Sequence, residues 1–443
     1  MLLGFDRETA VAEAQRGPDL SYAQATAACP WHVDIDGLVG ALAAGDFDTA
    51  AEAVRSGHPW GSILGRCCHR FCQAAMASAY PPGVEPLNLR SLERAAADFG
   101  RHVPPKFDAP PSGKRAAVVG AGSGGLATAL GLLRRGHQVT LVDGLPDIGG
   151  MLLAGYPNFR MPREVLRREL PLASPLLKLR LNEHVDHDRL DQLLAEYDAV
   201  CLAIGFFRPA TARIPGDDLA GVYDGLTFLN SVALGERPPV GDAVAVLGAG
   251  FTAQDVARTV RRLGAQVHVL YRRGPEQLPV HAFQRDRFIA LMQREEVPYT
   301  FFVEPLRVLG ENGRVAALEC RRTRLGPPDE SGRPRPEPAD EPPFQLPVSA
   351  VIKAFGQQPD YSLLPAGVRL DGRFVVNEDY RSTRPGLFVA GDIAGDVGND
   401  GAFFGGLQAA EHMHGFMMGS YDWPAINHDK RMQARRPGKE LEE

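Results

Sequence analysis

Two glycine-rich turns constrain this chain more than any other feature. Gly120-x-Gly122-x-x-Gly125 follows the apolar run RAAVV (115–119) and precedes an apolar stretch of helical spacing, 126–135. A strand over 137–142 follows and ends in Asp143. Strand, glycine turn, helix, strand and terminal carboxylate are the parts of a βαβ unit that binds a dinucleotide. In such a unit Gly120 makes the tight turn, Gly122 lets the backbone approach a pyrophosphate, and Gly125 lets helix and strand pack closely. Ser123 and Gly124 complete the turn. The helix N-terminus stabilises phosphate charge, and Asp143 stands where a carboxylate binds ribose hydroxyls. The motif by itself does not separate FAD from NAD.

The second turn is Gly248-x-Gly250-x-x-Ala253, with Phe251 and Thr252 inside it. It follows AVAVL (243–247) and precedes a helix over 252–263 and a strand over 266–271. Here the strand ends in Tyr271, and Arg272 and Arg273 follow. A ribose-binding acid is missing and two cations stand where a 2′-phosphate would lie, which favours NADP(H) over NAD(H). Two turns imply two nucleotides. The expected fold class is α/β, with two Rossmann-like dinucleotide-binding domains, the second inserted into the first or following it.

Residues 1–110 contain no strand-like run. The stretch 35–55 reads as two helices broken at Gly45-Asp46, with Asp46 as the N-cap of the second, and 91–99 reads as another. Prolines 104, 105, 110 and 111 mark a linker. DAVCLAIG (198–205) and VIKAFG (351–356) are apolar strands ending in Gly205 and Gly356, and read as chain crossings between the two nucleotide domains. The run FVAGD (388–392) ends in Gly391-Asp392, where the carboxylate can accept a hydrogen bond from a flavin ribityl chain. The Pro-rich segment 325–347 reads as a solvated hairpin or surface loop. His412 and His414 read as surface helix residues rather than a metal pair. The expected division is 1–110 helical, 111–240 first nucleotide domain, 241–355 second nucleotide domain, 356–427 return to the first, and 428–443 a charged tail.

With 48 basic and 54 acidic residues the net charge is −6. That argues against a nucleic-acid binder or a polybasic membrane anchor. No run approaches the roughly 18–20 apolar residues of a membrane span, and Asp6, Arg7 and Glu8 interrupt any N-terminal signal core. The expected location is cytoplasmic. Six cysteines in 443 residues do not make a disulfide framework.

GRCCHRFC, VVGAGSGGLATALGLLRRGHQVTLVD, IGGMLLAGYPNFRMP, IPGDDLAGV, LGAGFTAQD, VLYRRG and FVAGDIAG together are far more specific than either glycine turn. In these stretches the chain resembles the NAD(P)H:FAD oxidoreductase family. That family includes the glutamate synthase small subunit, the N-terminal half of dihydropyrimidine dehydrogenase and the large subunit of NADH-dependent ferredoxin:NADP oxidoreductase. The resemblance runs over about residues 20–420. It implies an FAD domain interrupted by an NAD(P)H domain, the two nested behind a small all-α iron–sulfur domain. It also implies that Gly150, Met151, Val185 and Ala203 join the glycine-turn residues around the cofactors. NAD(P)H would reduce FAD, and electrons would pass through a cluster to a partner iron–sulfur or large catalytic subunit.

The cysteines depart from the family pattern. Positions where relatives carry ligands of one cluster hold Gly17, Leu20, Ala25 and Met76 here, so that cluster is expected to be absent. For the other, the resemblance implies Cys29, Cys68, Cys72 and Glu93 as ligands of one [4Fe–4S] cluster, with Cys67 spare or an alternative to Cys68. A metal-free helical cap with free thiols, or zinc in the same residues, stays open. Phe251, Phe403 and Phe404 also depart from the family. A helix N-terminus near 401–406 is expected beside the flavin. Three functions follow: an electron-transfer subunit, a stand-alone NAD(P)H:acceptor flavoprotein, or an assembly subunit keeping its cofactors for structure. A thioredoxin-reductase type is disfavoured, since neither nucleotide domain carries C-x-x-C.

Overall fold

The computed structural model describes residues 4–17, 20–76, 80, 84–210, 212–280, 285–328, 332–396 and 398–420. The expected tail 428–443 lies outside the described residues.

The N-terminal region is helical, as its sequence implies: Arg7–Ala14, Ala23–Ala28, Ile35–Ala43, Phe47–Gly57, Gly61–Cys67, Phe71–Ala75 and Leu89–Phe99. Short polar side chains start these helices. Asp34 accepts a hydrogen bond from the Gly37 amide, and Asp46 from the Thr49 amide, which places the break at Gly45-Asp46. One helix start is supplied from a distance. Both carboxylate oxygens of Glu169 accept from backbone amides at the start of Gly61–Cys67, those of Ser62 (2.9 Å) and Ile63 (3.0 Å).

The first sheet has seven strands, in the order Asn377–Glu378, Arg381–Ser382, Leu387–Val389, Ala199–Leu202, Arg115–Val119, Gln138–Val142 and Leu177–Arg180. The last five run parallel and the first two add antiparallel at one edge. Arg115–Val119 is central and, from Ala116 onward, buried on both faces, which is why residues 116–119 are a continuous apolar run. The helix Gly398–Met417 lies on Ser123–Arg134 so closely that a Cβ on Gly406 would stand 2.2 Å from the Gly124 carbonyl oxygen.

The second sheet is wholly parallel: Val222–Asp224, Ala350–Lys353, Ala243–Leu247, Gln266–Tyr271 and Tyr299–Phe301. Its edge strand Val222–Asp224 and the following helix Gly225–Ala233 fall within 111–240, the stretch expected to belong to the first domain. Phe228 and Leu229 of that helix lie in the second sheet's core, so the chain enters the second unit earlier than its glycine turn. The two crossings run side by side: Arg208–Pro209 pairs antiparallel with Gln357–Gln358.

The Pro-rich segment is the end of a hairpin arm. The long strand Arg314–Pro328 pairs with Val303–Glu311, Pro334–Pro338 and Phe344–Pro347. One continuous apolar core runs from Ala10 to Met417, joining the helical region to the first sheet, and the second unit has cores of its own. No helix among the described residues is long and apolar enough to cross a membrane.

Candidate functional site

Both glycine turns are built the same way. Gly120 (φ +104°) and Gly248 (φ +128°) adopt backbone that L side chains rarely reach, and each faces a carbonyl of the neighbouring crossing. A Cβ on Gly120 would lie 2.4 Å from the Ala203 oxygen, and one on Gly248 2.5 Å from the Ala354 oxygen. Gly122 and Gly250 then act as N-caps of Ser123–Arg134 and Phe251–Arg262, with no side chain covering the first amides. Those amides are left for an anion. Gly125 packs against Gly120, and Ala253 is fully buried.

A cavity of about 980 Å³ opens from the first turn. Gly120, Gly122, Ser123, Gly124, Asp143, Gly150, Met151, Val185, Ala203, Gly205, Phe251, Thr252, Gly356, Gly391 and Asp392 line it. Gly125, Gly248, Gly250, Ala253, Arg272 and Arg273 do not, so the phosphate end of the second turn lies outside this cavity. Asp143 is fixed by the amides of Ala121 (2.5 Å) and Leu145 (2.7 Å), and burial raises its pKa. At the other end burial raises Asp392 to about 6, although the amides of Gly398 and Phe206 and the charge of Arg373 hold it down.

Sequence reasoning missed several of the cavity's residues. Glu183 and His184 come from a loop with no motif. Arg160 and Asp255 form a buried ion pair between the two nucleotide units, with the guanidinium 4.3 Å from the Tyr156 ring centroid and 5.8 Å from that of Phe251. Asn399 receives a hydrogen bond from Ser123 Oγ (2.8 Å) and donates one to the Tyr156 hydroxyl (2.9 Å). The long helix starts at Gly398 rather than within 401–406, and presents Gly398, Asn399 and Ala402 to the cavity. Phe403 instead stacks on Trp60 (4.1 Å between centroids), and Phe404 meets the edge of Trp31 (5.7 Å).

Arg272 and Arg273 part company. Arg272 is exposed, whereas Arg273 is buried with its Nε donating to the Pro334 carbonyl of the hairpin arm (2.8 Å). The arm also brings Arg333 to the Tyr271 hydroxyl (3.4 Å) and the Gln277 carbonyl (3.0 Å). His414 is not a simple surface residue: its Nδ1 lies 2.8 Å from His137 Nε2, and His137 Nδ1 lies 2.6 Å from Ser112 Oγ.

Cys29, Cys68, Cys72 and Glu93 line a second, small cavity together with Trp31 and His58. Cys68 ends the helix Gly61–Cys67, and the left-handed Arg70 (φ +67°) turns the chain so that Cys72 comes back to the same cavity. The Arg70 amide donates to Cys68 Sγ (3.3 Å). Burial raises all three thiols, Cys72 to about 12, and the nearby Glu93 carboxylate raises them further. Iron would offset that cost by binding the thiolates. Three soft donors and one carboxylate around one enclosed space fit an iron–sulfur cluster. Among the described residues no three His, Cys, Asp or Glu converge as for a single metal ion. Cys67 lies on the other side, in the wall of the large cavity, while Cys68 lines both. His69, next in the chain, is tied to the start of the long helix by Asp400 (Nδ1–Oδ1 2.7 Å, backbone N–Oδ2 3.0 Å).

Residues 114–415 match the family model described as pyridine nucleotide-disulphide oxidoreductase. The chain belongs to that family. Residues 1–103 match a second model, dihydropyrimidine dehydrogenase domain II, 4Fe-4S cluster. This pyridine nucleotide-disulphide oxidoreductase is therefore an NAD(P)H-dependent flavin enzyme that binds FAD and carries a 4Fe-4S domain. It is 33% identical to the NADP(+)-dependent formate dehydrogenase subunit beta of Moorella thermoacetica, over 89% of this chain and 60% of that protein. To the NADPH-Fe(3+) oxidoreductase subunit beta of Geobacter sulfurreducens it is 34% identical, over 77% of this chain and 52% of that one. The chain thus spans between half and two thirds of these relatives. The Escherichia coli glutamate synthase [NADPH] small chain is 32% identical, with 82% of each chain covered. Among solved structures, Mycobacterium tuberculosis FprA in complex with NADPH has the same fold (TM-score 0.58, 18% identity, 73% of this chain and 90% of that one).

Proposed function

We propose that the chain is the nicotinamide-side electron-transfer subunit of a larger oxidoreductase. One observation carries this reading: Cys68 belongs to the walls of both the large cavity and the small thiol cavity. A flavin in the first and a cluster in the second would be neighbours with one residue between them. The residues lining the large cavity bind FAD and the nicotinamide end of NADP(H), while Gly248, Gly250, Ala253 and the exposed Arg272 take its phosphates and adenosine. Bound flavin supplies two-electron exchange with nicotinamide and one-electron exchange with a cluster. The protein's share is positional. Phe251, Arg160 and Asp255 set the nicotinamide face, Asp392 holds the ribityl side, and Cys29, Cys68, Cys72 and Glu93 hold one [4Fe–4S] cluster. The domains implied are 1–110, a flavin domain from 111 resuming at 356, and a nicotinamide domain between. Relatives that are named subunits support a partner chain; in this reading it carries the substrate site and is an iron–sulfur or large catalytic chain of glutamate-synthase or aldehyde/2-oxo-acid type.

Anaerobically purified protein should hold about four irons and four sulfides per FAD. It should give a cluster EPR signal after NADPH is added. FAD reducible by NADPH, with no iron even after reconstitution, would sink the subunit reading and leave a stand-alone flavoprotein. FAD that NADPH does not reduce would leave only an assembly role.

A further inference from the structure

The small thiol cavity has more polar groups than four ligand positions explain. Outside arginines, the buried side-chain polar atoms lacking a hydrogen-bond partner among the described residues are Trp31 Nε1, His58 Nδ1, Gln73 Oε1 and Glu93 Oε1. Three of these belong to residues lining this one cavity. Leaving a buried polar atom without a partner is costly, so their gathering at one place points to an arrangement in which they serve one another and a bound group.

His58 is the most informative of them. It ends the helix Phe47–Gly57, is 2% exposed, and is held edge-on by the Trp31 ring at 5.2 Å. Its Nε2 lies 3.4 Å from Glu93 Oε1, on the separate helix Leu89–Phe99. A slight shortening brings this contact into the hydrogen-bond range of about 2.7–3.2 Å. A carboxylate is a harder and more mobile donor to iron than the three thiolates beside it, so its orientation needs a second support. We propose that His58 is the positioning residue for the cluster's carboxylate ligand: its Nε2–H holds one oxygen of Glu93 and leaves the other for iron.

This rests on the assignment of the cluster to Cys29, Cys68, Cys72 and Glu93, and a separate control tests that assignment. Wild type, H58F, H58Q, E93Q and C68S would be reconstituted anaerobically and assayed for FAD, iron, sulfide, the EPR spectrum after dithionite, and the rate of iron loss to a chelator. H58F should keep FAD and assemble a cluster with an altered spectrum. It should lose iron about 10–100-fold faster than wild type, the usual cost of removing such a support. H58Q, whose amide also donates, should recover most of the difference. In wild type labelled with [15N]histidine, pulsed EPR should show no coupling of the size given by a directly ligating nitrogen. A wild-type spectrum and release rate in H58F would overturn the proposal. So would a directly ligating nitrogen coupling, or loss of all iron in H58F with retention in E93Q, since the imidazole would then be the ligand itself. A wild-type cluster in C68S would overturn the ligand assignment beneath it.

Discussion

At Asp392 burial works against charge. The carboxyl is raised from 3.8 to about 6 in the folded chain, so its stabilising contribution is fully present below 3.8 and lost as pH rises through about 6. Flavin-stripped protein should therefore melt at a lower temperature at about pH 7 than at about pH 5, a difference on the order of 1 kcal/mol from this one group. Asp392→Asn should flatten that slope in a pH series of thermal melts while weakening FAD binding in a titration. The first turn offers a paired test. A Cβ on Gly122 would meet nothing nearer than the Gly150 Cα at 3.7 Å, and one on Gly125 would lie 1.7 Å from the Gly120 carbonyl oxygen. Gly122→Ala should leave the stability of the stripped protein unchanged and lower FAD affinity by occupying the phosphate's approach. Gly125→Ala should destabilise the chain itself by about 1–3 kcal/mol or more, seen as a lower urea midpoint without flavin. The glycine turns and Asp143 were legible because their chemistry sits in a local pattern. Glu183, His184 and His58 were not, because each owes its place to elements far along the chain.

Among the elements, the strand Gln266–Tyr271 matches its expected limits, and so does the break between the helices around Asp46, since periodicity and capping are local signals. Val222–Asp224 was not legible. Three residues carry no period, and only pairing with Ala350–Lys353 makes them a strand. The short helix Gly61–Cys67 was missed for a related reason, because its N-terminal cap is Glu169. The hairpin arm changes how the two arginines after Tyr271 are read. With Arg273 buried on the Pro334 carbonyl, only Arg272 presents an open cation. Arg272→Ala should raise KM for NADPH on the order of tenfold, the loss of one charge-assisted hydrogen bond, with KM for NADH unchanged. Arg273→Ala should instead lower the melting temperature and affect both nucleotides alike. Steady-state assays with the two nucleotides separate these outcomes.

Over the whole molecule, the helical region and the flavin-side sheet share one core, although their sequences read as separate domains. Composition shows where strands stop but not which apolar faces meet. The nicotinamide side is joined by narrower means, among them the buried pair Arg160–Asp255. Removing one partner strands the other charge, at a cost of about 3–5 kcal/mol. Asp255→Asn should therefore lower stability by that order and slow flavin reduction in stopped-flow mixing with NADPH. Adding Arg160→Met should restore stability but not the rate; recovery of both would show that the pair only holds the units together. The short ladder of Arg208–Pro209 against Gln357–Gln358 has a consequence of another kind. The chain departs and returns at adjacent points, so everything between them is topologically a cassette. A tight turn joining residue 209 to residue 357 would close the flavin half without rethreading a strand of its sheet. Conversely, a foreign nucleotide-binding unit whose own ends lie close together could be spliced in at the same place.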